Sequence, residues 1–396
     1  MRSLQKWTDR PSLESVLVAG PLEGLRVVEM VGLGPGPFCG MLLADMGAEV
    51  LRVDRVDAAR AIDRSRPAAN AMDRGKQAVA IDLKVPEGVE MLLRVIEQAD
   101  AFFEVFRPGV AERLGIGPDD CLARNSGLVY GRLTGWGQEG PYANAAGHDI
   151  DYIALAGALE ALGRAGEKPT PPINVLGDFA GGGMLLAFGI ACAAFETART
   201  GKGQVIDAAM VDGAALMLTP FYAARASGFW GERGTNHLDT GAHFYEVYET
   251  ADAKFVAVGT VEPKFYAELM ERLGLEFDPD AQYDKSRWPQ EKERLATVFR
   301  TKTRDEWCEL LEGTDACFAP VLTPLEAPDH PHNQARGTFL APGGVPQPAP
   351  TPRFSRTPAA VPDPPMHPGD DTDGVLGRWG FETDEVARLR AAGAVL

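Results

Sequence analysis

An imidazole and a carboxylate thirty residues apart are the side chains in this sequence best suited to moving a proton. His148 stands in Ala146-Gly-His148-Asp149-Ile-Asp-Tyr152, ahead of a helical apolar pattern that runs to about residue 162. A helix start gathers free backbone N–H groups and the positive end of the helix dipole. Such a place can hold a developing oxyanion. It also keeps a nearby imidazole neutral and able to accept a proton. Asp178 stands in Asn174-Val-Leu-Gly-Asp178-Phe-Ala-Gly-Gly-Gly183 and also precedes a helical pattern. The three glycines let another backbone or a ligand come close. A carboxyl in a largely apolar pocket has a raised pKa, so it can donate as well as accept. Either residue could instead serve only as a helix cap. Two proton-exchanging groups at helix starts point to general acid–base work at a carbon acid. The spacing does not show that they meet.

These groups need a scaffold. Residues 25–31, 48–53, 78–83, 101–106 and 128–133 are short apolar runs that read as strands. Helical patterns lie between them, at 38–46 and from Pro86 to about residue 99. The alternation predicts an α/β fold with a doubly wound parallel sheet. The loop Gly32-Leu-Gly-Pro-Gly-Pro37 is not a dinucleotide fingerprint. The third glycine of GxGxxG is Pro37 counted from Gly32, and Cys39 counted from Gly34. Residues 179–195 are uncharged and apolar but shorter than the ~20 residues of a bilayer span. They read as a buried helix. From Phe244 the pattern changes to a hairpin at 244–249 and 254–260, helices at 263–273, 288–300 and 304–312, and a strand at 318–322. That is a smaller α+β domain. The stretch 341–365 is a Pro-rich connector, and 382–392 is a last helix. The expected partition is a large Rossmann-like domain at 20–205, a small domain at 230–323, and a linker with the C-terminal part of the large domain at 324–396.

Charge narrows the ligands. A formal net charge of -17 argues against nucleic acid. A polyanionic cofactor would need a local basic patch. Between residues 50 and 80 stand Arg52, Arg55, Arg60, Arg64, Arg66, Arg74 and Lys76, against Asp54, Asp57, Asp63 and Asp73. The five cysteines are scattered without CxxC spacing, which fits a reducing compartment. The six histidines form no zinc signature, so no metal is expected. Asp9 and Glu14 break any secretory signal in the first twenty residues. The expectation is a cytoplasmic enzyme with no membrane or nucleic-acid partner.

Several motifs resemble those of the α-methylacyl-CoA racemases, in the family III CoA-transferase (CaiB-BaiF) superfamily. They are Gly135-Trp-Gly-Gln, the His148 and Asp178 motifs, Thr200-Gly-Lys-Gly-Gln-Val-Ile-Asp-Ala-Ala-Met210 and Val258-Gly-Thr-Val-Glu262-Pro-Lys-Phe-Tyr266. The resemblance runs from Gly20 to the end. It implies an interlocked homodimer, with the site between the large domain of one chain and the small domain of the other. It implies inversion of the α-carbon of a 2-methylacyl-CoA. His148 and Asp178 would be the acid/base pair, and the Asp149 backbone N–H would hold the enolate oxygen. Glu262 would tune the partner subunit's His148. CoA contacts would fall on Arg55, Ile81, Asp82, Leu83, Lys84, Val105, Phe106, Arg107 and Arg113, and on Gly147, His148, Asp149, Ile150, Asp151 and Tyr152. CoA belongs to the substrate, and no other cofactor is implied. The alternative is a family III CoA-transferase, in which the residue matching Asp178 forms an acyl anhydride. Gly-His-Asp at 147–149 and Val-Glu-Pro at 261–263 favour the racemase. One departure stands out: Thr240 and His243 occupy places where those racemases carry Gly and Pro. That is either a tolerated loop change or a shifted acyl preference.

Overall fold

A computed structural model describes residues 20–396. The question of a signal in the first nineteen residues, with Asp9 and Glu14, lies outside the described residues. The chain divides into two compact units. One holds residues 20–145, Asp178–Ala209 and Gly337–Leu396; the other holds Ala146–Gly177 and Met210–Arg336. These boundaries differ from the expected 20–205, 230–323 and 324–396, because the segment carrying His148 clusters with the second unit.

The first unit is built on a six-stranded parallel sheet. Its strands are β1 (Arg26–Met30), β2 (Glu49–Arg55), β3 (Gln77–Ile81), β4 (Ala101–Glu104), β5 (Val129–Thr134) and β6 (Gln204–Ala209). Their order is β3-β2-β1-β4-β5-β6. Val28 on β1 pairs with Leu51 on one side and Phe102 on the other. The winding reverses between β1 and β4, and in such sheets ligands bind outside the carboxyl ends of the strands at that point. Helix α1 (Pro35–Asp45) follows β1. It starts three residues earlier than the apolar pattern suggests, because proline is well placed in a first turn. Helix α2 (Pro86–Ile96) buries Gly88, Met91, Leu92, Val95 and Ile96, the spacing of one helical face. That face joins Val28, Leu51, Val79, Leu376 and Trp379 in one core. The chain end returns to this sheet: Leu396 N–H donates to the Ala80 carbonyl at 3.2 Å.

Two features depart from the sequence expectation. The sixth strand was not expected, and half of it is exposed at the sheet edge. The apolar run at 179–195 is not simply a buried helix. It lies within a longer helical run, Val175–Thr200, whose most apolar window is mostly unburied. Leu186, Ala187, Ile190 and Ala193 face inward, while Met184, Phe188 and Phe195 are at least half exposed. By length and composition alone that run could cross a membrane. Its packing against α1, β5 and β6 ties one face to the sheet.

The second unit contains an antiparallel sheet of β7 (Tyr245–Glu249), β8 (Phe255–Gly259) and β9 (Phe318–Pro320). Helices Pro263–Arg272, Trp288–Phe299 and Arg304–Leu311 cover it, near the expected bounds. Its core is aromatic: Phe244, Tyr248, Tyr266, Trp288, Phe299 and Trp307 are all buried.

The glycines of the Asp178 segment have unequal duties. A methyl on Gly183 would stand 2.5 Å from the Pro35 carbonyl oxygen; on Gly189 it would meet only the Ile206 side chain at 3.4 Å. Gly183→Ala is therefore expected to lower stability by about 1–3 kcal/mol in urea unfolding. Gly189→Ala should be neutral or stabilising, since alanine favours helix. Equal effects would contradict this packing.

Candidate active site

The expected CoA residues of the first unit are mostly brought together. Arg55 closes β2, Ile81 closes β3, and Asp82, Leu83 and Lys84 follow it. With Phe106, Met30, Gly32 and Leu33 they line one cavity of about 430 Å³. It opens where the strands end, at the reversal of the winding. Asp57 also lines it and was missed in the sequence. Its carboxylate pairs with Arg55 and lies 4.0 Å from Lys84 Nζ. Val105 is not in the lining. It packs on the Gly32 and Gly36 backbone so closely that a methyl on Gly32 would stand 2.3 Å from Val105 Cγ2. Arg107 and Arg113 are exposed and outside the lining.

The 105–107 loop is held by a buried carboxylate. Glu104 accepts the Phe106 N–H, and Arg132 Nε donates to it at 3.2 Å. Burial pushes the Glu104 carboxyl up to about 7, against the pull of the Phe106 N–H and Arg132. Arg132 also bonds Glu112 at 2.8 Å.

The basic stretch of the sequence is not one surface patch. Arg52, Arg74 and Lys76 are buried. Arg52 meets Asp54 at 2.7 Å and Asp73 at 2.5 Å, Arg74 meets Asp45 at 2.5 Å, and Lys76 meets Glu29 at 2.6 Å. A charge count along the chain cannot separate cations inside from cations outside. Arg55 is the one in the cavity.

His148 opens the helix Asp149–Leu155 in the second unit. Its backbone is extended (φ -133°, ψ 175°), its side chain is exposed, and its N–H donates to Asp151 at 3.0 Å. The helix is shorter than the expected run to 162, because Gly157 turns the chain at φ +80°. Tyr152 is buried and its hydroxyl donates to the Gly147 carbonyl, closing the turn before His148. Ile150 and Asp151 are exposed. Asp149 is buried, and its carboxylate accepts the Gly177 N–H at 2.7 Å. Gly177 immediately precedes Asp178.

Asp178 lies in a ten-residue π-helical stretch, Val175–Met184, that the sequence did not reveal. Local π geometry is frequent at functional sites. Its successive glycines were the available signal. A methyl on Gly34 would stand 3.4 Å from Asp178 Oδ2, so the carboxylate lies against the loop after β1. Glu262 is exposed and immediately precedes the helix Pro263–Arg272. Gln282 holds that start: its Nε2 donates to the Thr260 and Val261 carbonyls at 3.0 and 2.8 Å.

His243 is fully buried, 2.9 Å from the Tyr266 hydroxyl, among Phe244 and Tyr266. It is a core residue of the second unit. Thr240 holds φ +75°, a conformation that favours glycine.

Residues 22–372 match the family model for CoA-transferase family III. The chain is 47% identical to the mouse protein named alpha-methylacyl-CoA racemase over 375 residues, covering 93% of this chain and 96% of that one. It is 44% identical to the human protein of the same name, with the same coverage. A crystal structure of a CAIB/BAIF family protein from Brucella suis superposes with a TM-score of 0.77 at 25% identity, covering 91% of this chain and all of that one.

Burial lowers the His243 pKa to about 4, with Lys292, Arg287 and Arg294 adding to the effect. The neutral ring therefore contributes stability that is complete above pH 6.5 and lost as pH falls towards 4. Between pH 6.5 and 4.5 the wild type should lose about 2–3 kcal/mol more than His243→Asn in urea titrations. Identical pH slopes would place the ring outside the core.

Proposed function

The chain belongs to CoA-transferase family III, and on that footing we propose that it is an α-methylacyl-CoA racemase. It inverts the α-carbon of a 2-methylacyl-CoA thioester. The observation that carries the reading is the identity to the mouse and human racemases across nearly the whole chain.

The chemistry follows from the thioester. Its α-hydrogen is acidified but still far too weakly acidic to leave unaided at neutral pH. Removing it makes an enolate, and the enzyme must hold that negative oxygen. The backbone N–H of Asp149, at a helix start, is the proposed donor; one such preorganised donor contributes roughly 3–4 kcal/mol elsewhere. His148 and Asp178 take the two faces of the carbon. One removes the hydrogen and the other returns a proton to the far face, contributing ~100- to 10,000-fold each. Glu262 tunes the partner subunit's His148. The cavity with Arg55, Ile81, Leu83, Lys84 and Phe106 takes part of the CoA, its basic side chains facing phosphate and its apolar ones the rest. No metal or further cofactor enters the scheme.

A homodimer belongs to the same proposal. Phe188 and Phe195 are 66% and 67% exposed on one helix of the first unit, and Leu155 and Leu216 are 58% and 54% exposed in the second. These exposed apolar side chains support that reading. A cytoplasmic, reducing setting is consistent with five unpaired thiols.

Incubation with a single-handed 2-methylacyl-CoA in deuterated water tests the reading. It expects α-deuterium uptake and loss of optical purity with no acyl acceptor present. His148→Ala and Asp178→Ala should each slow inversion by about 100-fold or more. CoA transfer to an added carboxylate, without deuterium uptake, would establish the transferase instead.

A further inference from the structure

Against the helix α1, whose first turn meets the Asp178 segment, lies a buried ion pair that the proposed proton transfer does not use. The side chains of Lys76 and Glu29 are 1% and 0% exposed, with Nζ and Oε2 2.6 Å apart. Desolvating two charges offsets most of their attraction, so such a pair is weak evidence of a purely stabilising role. Burial raises the Glu29 pKa, and Lys76 opposes that shift.

What the pair touches is the first turn of α1. Lys76 Nζ donates to the Pro37 carbonyl at 2.9 Å. Gly40 makes room: a methyl there would stand 1.9 Å from Glu29 Oε2 and 2.8 Å from Lys76 Nζ. The same turn meets the Asp178 segment at three places. Gly34 lies against the Asp178 carboxylate, Gly183 approaches the Pro35 carbonyl, and the Phe38 and Phe179 rings are 4.9 Å apart. Asp73 stands 3.8 Å from Lys76 Nζ and is itself held by Arg52, so the lysine is fixed from a second direction.

We propose that Lys76, paired with Glu29, is a positioning residue for proton transfer by Asp178, because it fixes the α1 turn against which that carboxylate rests. The inference depends on the racemase reading, with Asp178 as one of two acid/base residues. Displacement of a reacting group by about 1 Å can slow a reaction ~100-fold.

The test uses the full-length protein and both hands of one 2-methylacyl-CoA in deuterated water. For each hand, inversion and exchange with retained configuration are measured separately, together with KM and the unfolding temperature. Glu29→Gln combined with Lys76→Met removes both charges at once and leaves neither buried alone. The double variant is expected to keep KM within about twofold and to lose inversion by about tenfold or more. The hand whose α-hydrogen faces His148 should keep its exchange with retention, while the hand facing Asp178 loses exchange. Lys76→Arg, which retains charge and donors, should recover most of the rate. Should the double variant not fold, Gly40→Ala displaces the pair from α1 and must give the same one-handed signature. Equal loss for both hands, unchanged kinetics, or no recovery with arginine would overturn the inference. Absence of exchange with the wild-type protein would refute the racemase reading instead, so the two failures stay apart.

Discussion

The hydrogen bond from the Gly177 N–H to the buried carboxylate of Asp149, 2.7 Å long, is the contact that fixes the second unit's part of the candidate site. Its two ends are the immediate chain neighbours of the two residues proposed to move protons. Asp149 follows His148, and Gly177 precedes Asp178. A buried carboxylate must be hydrogen-bonded or neutral, so the fold has reason to keep this bond. Only glycine permits it here, since a methyl on residue 177 would stand 2.7 Å from the accepting oxygen. Asp149 thus has two duties. Its backbone is the proposed oxyanion donor, and its side chain ties down the beginning of the π-helical stretch.

Charge is handled differently in the interior and in the cavity. Arg52, Arg74 and Lys76 are spent inside the first unit, each against a carboxylate. Arg74 also reaches Gln347 at 2.8 Å and so fastens the returning C-terminal stretch to the N-terminal half. Arg55 and Lys84 remain at the cavity, where Asp57 is their counter-ion. A chain with a net charge of -17 can still receive a polyanion if a few cations stand where the strands end.

Much of this was legible beforehand. Short apolar runs located β1 to β5 and a one-sided apolar periodicity located α2, because buried parallel strands and one-sided helices impose those patterns. The pair proposed to move protons was legible as residue types beside expected helix starts, with roles that came from resemblance; His148 does open a helix, whereas Asp178 lies inside the helical run Val175–Thr200. Other features were hidden for physical reasons. β6 is an exposed edge strand and lacks an apolar run. The π-helical stretch depends on close packing between backbones, which glycines allow but do not announce. His243 read as a loop departure from the racemase pattern, yet an aromatic core surrounds it, because burial is set by residues distant in sequence. The basic stretch misled for the same reason.

The racemase reading puts an imidazole and a carboxylate on opposite faces of one carbon. A crystal structure with a 2,2-dimethylacyl-CoA tests it most directly, since that thioester has no α-hydrogen to lose and stays intact. His148 and Asp178 are expected on opposite sides of the α-carbon, with the thioester oxygen at the Asp149 N–H. Both side chains on one face, or an Asp178 oxygen aimed at the thioester carbonyl carbon, would contradict it.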